Sequence, residues 1–284
     1  YVTDAWAGVF KSTDGGKTWS PSNNGITTRA GTSGDAIPVF SLTIDPNNYN
    51  IVWAGTQGIS GIFRSDDAGA TWSAMNTGTN GIIEKDLAVR GFTIEPGNSD
   101  TVYFAAEVPS TEWNGSSLFD WKVTVDVTKG VIYKTTDRCN TWKRLWFGNN
   151  LARYVWINPQ DHNRLYASTG IFDREAANSN NTTTLQPGGE GILRSKDGGS
   201  TWEVLNEKNG FNAKELYFGS LFMHPTNPNW LLAASGDEPF TFLTQSEAPL
   251  GGVYLTENGG DSWTEVVDGH NFSAVEICEG NPNI

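Results

Sequence analysis

The stretch KSTDGGKTWS, Lys11 to Ser20, recurs four times in altered form. RSDDAGATWS starts at Arg64, KTTDRCNTWK at Lys134, RSKDGGSTWE at Arg194 and LTENGGDSWT at Leu255. The shared pattern is S/T-x-D-x-G-x-T-W. Cys139 replaces Gly in the third copy, and Asn258 and Ser262 replace Asp and Thr in the fifth. Self-similarity of this kind marks a chain of stacked supersecondary units, none of which can bury its faces alone.

Each copy sits in a longer unit. Upstream lies an apolar strand, a Pro/Asn turn and a second strand ending in small residues: VFSLTIDPNNYNIVWAGT from Val39, VRGFTIEPGNSDTVYFAAE from Val89, ARYVWINPQDHNRLYAST from Ala152 and GSLFMHPTNPNWLLAAS from Gly219. A third strand leads into the motif, as in GVFKS at Gly8 and GIFRS at Gly61, and the segment after the motif Trp makes a fourth. Such a unit is a four-stranded antiparallel meander, the blade of a β-propeller. The expected fold is all-β: one β-propeller domain over residues 1–284 with five blades in this chain. The start YVTDAW reads as a second strand and FSAVEICEGNPNI, near the end, as a first strand plus turn. Either the last strand completes the first blade and closes a five-bladed ring, or the chain is part of a larger propeller. Closure removes exposed strand edges, which favours the ring.

Composition agrees. Twelve Trp and 32 Gly, with no long window of 3.6-residue apolar period, favour strands and tight turns over helices. A formal charge of -13 without a Lys/Arg cluster argues against nucleic acid as a partner. No apolar run approaches the roughly 20 residues that span a bilayer. The chain begins at Tyr1 rather than Met and carries no signal peptide, which reads as a processed chain or a piece of a longer one. Two cysteines, Cys139 in a motif turn and Cys278 in an apolar strand, make no disulfide framework. His162, His224 and His270 are far apart in sequence, and neither a metal site nor a cofactor is expected.

The motif itself reads as scaffold. An Asp in a tight turn accepts hydrogen bonds from nearby backbone N–H groups, Gly supplies a positive-φ position and Thr adds a local hydrogen bond. Asn258 can accept the same bonds without a charge, which a catalytic carboxylate could not tolerate. Asp14, Asp67, Asp137, Asp197 and Asn258 are therefore structural.

The five copies resemble the Asp-box, or BNR, repeat found in sialidases, sortilin-type receptor domains, a photosystem assembly factor and xyloglucanases built from two seven-bladed propellers. That resemblance implies an architecture and several possible activities. TDAWAG, Thr3 to Gly8, is similar to the segment around the catalytic aspartate in the first propeller of the Asp-box xyloglucanases, and this points to Asp4. Those enzymes draw their second aspartate from a second propeller. Sialidases use an F/Y-R-I-P segment near their start, and this chain has none.

In a blade, loops alternate between two faces. The first-to-second turns and the Asp-boxes share one face and are short, whereas the long insertions 107–129, 169–190 and 235–250 and the links 21–38 and 77–86 share the other. Irregular length on one face of a rigid scaffold is the mark of a binding surface. That face offers the aromatics Trp6, Trp113, Phe119, Trp121, Phe172, Phe211, Phe240 and Phe242. It also offers the carboxylates Asp4, Asp35, Glu84, Asp86, Glu107, Asp173, Glu175, Asp237 and Glu238. Aromatic planes with carboxylates between them suit sugar rings, and a glycosidic bond needs two carboxyl groups for its hydrolysis.

The expectation is a secreted or cell-surface carbohydrate-active propeller, glycoside hydrolase-like, binding a polysaccharide or oligosaccharide on that face. Asp4, Asp173, Glu175 and Asp237 are its candidate catalytic groups, and Trp6, Trp113, Trp121, Phe172 and Phe240 its substrate platforms. The alternative is a non-catalytic propeller that grips a protein partner, as the sortilin-like and assembly-factor branches imply, with the aromatics packing the long loops on themselves.

Overall fold

The computed structural model describes the whole chain except residues 5, 31–32, 57–60, 76–79, 85–86, 109–128, 149, 171–188, 214, 237–250, 271, 273 and 279–284. It contains five antiparallel sheets in two compact units, one of Tyr1–Trp121 with Val131–Phe147 and one of Lys122–Gly130 with Gly148–Ile284.

The first unit carries three sheets. β1 (Val2–Asp4), β2 (Gly8–Lys11) and β3 (Ser20–Pro21) form the first. β4 (Val39–Ile44), β5 (Val52–Thr56), β6 (Ile62–Ser65) and β7 (Ser73–Ala74) follow in simple meander order, as do β8 (Ala88–Glu95), β9 (Asn98–Val108), β10 (Lys129–Thr135) and β11 (Lys143–Gly148). The second unit repeats the meander twice: β12 (Ala152–Asn158), β13 (Asp161–Thr169), β14 (Ile192–Ser195) and β15 (Glu203–Leu205), then β16 (Phe218–Met223), β17 (Leu231–Ser235), β18 (Gly252–Thr256) and β19 (Thr264–Asp268). These are the blades of a β-propeller. The first sheet has three strands where the others have four, and β1 is exposed along its length. The expected closing strand does not form among the described residues. Phe272 and Ala274 to Cys278 carry no strand pairing, and the remainder of FSAVEICEGNPNI lies outside the described set. Cys278 is accordingly exposed rather than buried in a strand, whereas Cys139 is buried, and both are free thiols.

The burial pattern follows from sheet stacking. β5, packed between β4 and β6, is buried at every position, while β19, the last strand of its sheet, is exposed at every position. Apolar side chains of adjacent sheets interdigitate. Trp53, Phe92, Phe104, Tyr133 and Trp142 form one core between the second and third sheets. Phe211, Phe218, Tyr254 and Trp263 form another between the fourth and fifth. Edge-to-face contacts such as Phe104–Trp142, with centroids 5.0 Å apart, add to area burial.

The Asp-box turns share one geometry. Asp14 Oδ1 accepts from the Thr18 N–H (2.9 Å), and Oδ2 accepts from the Thr18 hydroxyl (2.6 Å). Ser12 donates to the same carboxylate at 2.8 Å. Asp67, Asp137 and Asp197 repeat the bonds through Thr71, Thr141 and Thr201. Asn258 keeps the backbone bond to Ser262 (3.0 Å) but reverses the side-chain one, with its Nδ2 donating to the Ser262 hydroxyl. Two successive residues after the acid adopt positive φ, Gly15–Gly16 in the first copy and Arg138–Cys139 in the third.

A second repeated device joins neighbouring blades. The Asn-Gly pairs of three links meet the Trp of the next Asp-box. Trp72, Trp142 and Trp263 donate their backbone N–H to the carbonyls of Asn24, Asn80 and Asn209, at 2.8, 2.6 and 2.7 Å. Gly25, Gly81 and Gly210 have φ of 99°, 93° and 101°, and a Cβ on each would lie 2.0–2.3 Å from the carbonyl oxygen of that Trp. Only glycine combines this φ with this approach. The three clasped tryptophans are 4% exposed, whereas Trp19, in the three-stranded sheet, is 42% exposed. Side chains add a grip on the turn itself. Tyr1 and Lys11 both donate to the Ala68 carbonyl, at 2.6 and 2.7 Å, and Tyr166 and Arg194 to that of Gly259, at 2.9 and 2.6 Å.

Candidate functional site

β1 ends at Asp4, and the chain turns there because Asp4 Oδ1 accepts from the N–H groups of both Trp6 (2.7 Å) and Ala7 (2.8 Å), an Asx-type turn. Both bonds fall on Oδ1, and among the described residues no side chain donates to Oδ2. The Trp6 carbonyl accepts from the Ile37 N–H at 2.9 Å, which ties the turn to the incoming link. Asp4 is exposed, and Trp6 is 42% exposed. A carboxylate and a partly exposed indole thus stand two residues apart on a hydrogen-bonded turn. The link beside them is ordered by its own bonds: Arg29 donates to the carbonyls of Ile26 and Thr28, Ala30 bridges to Ala36, and Ser33 donates to Asp35 at 2.5 Å. The Ser33 hydroxyl, helped by backbone N–H groups, holds the Asp35 carboxyl below the usual carboxylate range.

Three residues read as face groups turn inward instead. Phe211 is 4% exposed and packs on Phe218, Tyr254 and Trp263, so it belongs to the core. Glu107 is buried, and its carboxylate accepts from Arg90 at 2.7 Å. The Arg90 guanidinium also lies over the Phe40 ring, 5.3 Å from its centroid. Arg90 and Phe40 fall at equivalent register shifts early in β8 and β4, between Val89 and Gly91 and between Val39 and Ser41. Such bulges re-aim a side chain, and nothing in a single strand's residue pattern reveals them. Glu84 accepts from the Tyr133 hydroxyl and from Arg144 (2.7 Å). All three are held by structural contacts rather than presented on the face. Asp173, Glu175, Asp237, Trp113, Trp121, Phe172 and Phe240 lie outside the described residues, as do Asp86, Glu238, Phe119 and Phe242. Of the candidate catalytic and platform residues, the structure describes Asp4 and Trp6 and brings these two together.

The fold and its repeated turn define the class, an Asp-box β-propeller. The BNR/Asp-box repeat family matches residues 10–21. Over 278 residues the chain is 23% identical to a xyloglucanase of Hypocrea jecorina, covering 93% of this chain and 30% of that protein. Over 257 residues it is 26% identical to a xyloglucanase of Acetivibrio thermocellus, covering 74% and 30%. The crystal structure of an ancestral GH74 enzyme superposes with a TM-score of 0.68 at 14% identity, over 99% of this chain and 31% of that one. That of a GH74 enzyme from Niastella koreensis superposes with a TM-score of 0.62 at 20% identity, over 96% and 38%. The chain therefore spans about a third of the length of these proteins. It resembles xyloglucanase-type propellers in fold and, at low identity, along most of its sequence.

Proposed function

We propose that this chain is a polysaccharide-binding propeller of a secreted, xyloglucanase-type glycoside hydrolase, with glycan held on the long-loop face. The observation that carries the reading is the exposed Asp4–Trp6 turn, in a chain similar over 93% of its length to a xyloglucanase. In this reading the exposed part of the Trp6 indole stacks on a pyranose ring. Asp4 supplies one of the two carboxyl groups that glycoside hydrolysis requires. Its Oδ1 is held by two backbone N–H groups, so the carboxylate has a fixed orientation and keeps Oδ2 for substrate or for a proton. Asp173, Glu175 and Asp237, with Trp113, Trp121, Phe172 and Phe240, are the further groups proposed to line the glycan path.

A panel of soluble polysaccharides, scored for binding and for reducing-end release with wild type beside Asp4→Ala, tests the reading. Binding of a β-glucan such as xyloglucan is expected, with release abolished in Asp4→Ala. Binding without release in the wild type defeats the hydrolytic part, and absence of binding across the panel defeats the whole.

A further inference from the structure

The third and fifth blades carry the same buried device with opposite charge. In the third, Tyr133 stands four residues before the Asp-box acid, and its hydroxyl donates to Glu84 of the preceding link. Arg144, two residues after the motif Trp, closes the site by pairing with Glu84 at 2.7 Å. In the fifth, Tyr254 occupies the equivalent place and donates to Glu215 at 2.6 Å. Asn212 donates to the other oxygen of that carboxylate at 2.5 Å. The residue equivalent to Arg144 is Glu265, which pairs in register with Tyr254. Carboxylate oxygens of Glu215, Glu265 and Asp268 lie within 4.8 Å of one another. Glu215 is 3% exposed. The groups facing it are the Tyr254 hydroxyl from β18, Glu265 and Asp268 from β19, and the Asn212 amide from its own link. Among the described residues none of these is a cation. Like charges this close, one of them buried, cannot all ionise without cost.

We propose that Glu215 and Glu265 share a proton, making the fifth blade a pH-sensitive latch that is firm when protonated and weakened when both carboxyls are ionised. One bound proton removes one of the two charges of the pair and so fills the neutralising role of the Arg144 guanidinium in the third blade. The latch reaches the long-loop face through the backbone: Ser235, the first residue of the 235–250 insertion, donates its hydroxyl to the Glu215 carbonyl at 2.7 Å. Burial, with the charges of Glu265 and Asp268, pushes the Glu215 carboxyl above its ordinary value of 4.5, and burial with Asp268 does the same to Glu265. The folded state then binds the proton more tightly than the unfolded chain. Stability is fully present below 4.5 and is lost as pH rises through the raised folded-state value.

The test is thermal unfolding of the full chain across about pH 4.5 to 7 for wild type, Glu215→Gln and Glu265→Arg, the last reproducing the charge arrangement of the third blade. The wild-type midpoint is expected to fall by about 2–4 °C across this window, and both variants should lose that fall. A fall that persists in both variants overturns the proposal. Should Glu265→Arg not fold, infrared difference spectra across the same pH window decide through Glu215→Gln: a protonated-carboxyl band that persists above the ordinary glutamate range in wild type and is missing in the variant supports the shared proton, and its absence from wild type refutes it. Millimolar calcium provides a further arm. A calcium-dependent rise in midpoint at neutral pH that Glu265→Arg abolishes would mean that a metal cation, not a proton, neutralises the cluster, and would overturn the proposal.

Discussion

Gly210→Ala isolates the energetic weight of the Asn-Gly clasp, because Gly269 in the same unit provides a matched control. Gly210 has φ of 101° and Gly269 has φ of 87°, so an alanine at either site is held in the left-handed region. That strain costs roughly 1–2 kcal/mol, offset by about 0.4–1 kcal/mol from the stiffer unfolded chain. The surroundings separate the two. A Cβ at Gly269 meets nothing within 4 Å, whereas one at Gly210 lies 2.3 Å from the Trp263 carbonyl oxygen. Relief requires the link to retreat, which breaks the 2.7 Å bond from the Trp263 N–H to Asn209 and opens the packing of Phe211 on Trp263. A lost backbone bond of about 1 kcal/mol and overpacking of about 1–3 kcal/mol bring the total for Gly210→Ala to roughly 3–5 kcal/mol, against about 1 kcal/mol for Gly269→Ala. With a urea m-value of about 2 kcal/mol per molar, the denaturation midpoint should fall by about 2 M for the first and about 0.5 M for the second, read by tryptophan fluorescence. Equal midpoints for the two variants would refute the clasp as the reason for glycine at position 210.

Three further outcomes follow from the same structure. The Thr hydroxyl, the Thr backbone N–H and the Ser hydroxyl lower the carboxyls of Asp14, Asp67 and Asp197 to about 2, so their contribution is present above the ordinary value of 3.8 and is lost as pH falls toward 2. Acid titration followed by near-UV circular dichroism should therefore show unfolding in that window, shifted upward in Asp67→Asn. Burial pushes the Cys139 thiol up to about 11, while Cys278 is exposed, so Ellman's reagent at neutral pH should titrate one thiol in the native chain and two in denaturant. Removing a 4%-exposed motif tryptophan by Trp142→Ala should cost about 3–5 kcal/mol in denaturant unfolding, well above the cost of Trp19→Ala, whose side chain is 42% exposed.

Much of the architecture was legible because it rests on local rules that repeat. The five Asp-boxes and the alternation of apolar strands with Pro/Asn turns place most strands close to their observed positions, and Asn258 marks the turn acid as replaceable. What escaped depends on contacts distant in sequence. The Asn-Gly pairs read as ordinary turns, yet Asn24 and Trp72, or Asn209 and Trp263, meet only once neighbouring blades stack. Glu84 and Phe211 look like exposed link residues, but Tyr133 and Tyr254, some 40 to 50 positions away, draw them inward. The tyrosine four residues before the motif acid in the third and fifth copies was the available signal, being a hydroxyl placed where other copies carry Phe or Leu. A strand expected at FSAVEICEGNPNI rested on grammar alone, since a strand forms only where a partner edge is presented to it.

Glycan recognition at the Asp4–Trp6 turn is the property most open to direct measurement. Isothermal titration of the full chain with xyloglucan oligosaccharides, wild type beside Trp6→Ala, measures it directly. Stacking on the exposed part of the indole contributes about 1–1.5 kcal/mol, so measurable binding is expected that weakens about tenfold in Trp6→Ala while the variant remains folded at the titration temperature. Binding indifferent to Trp6, or no heat of binding at all, would contradict it.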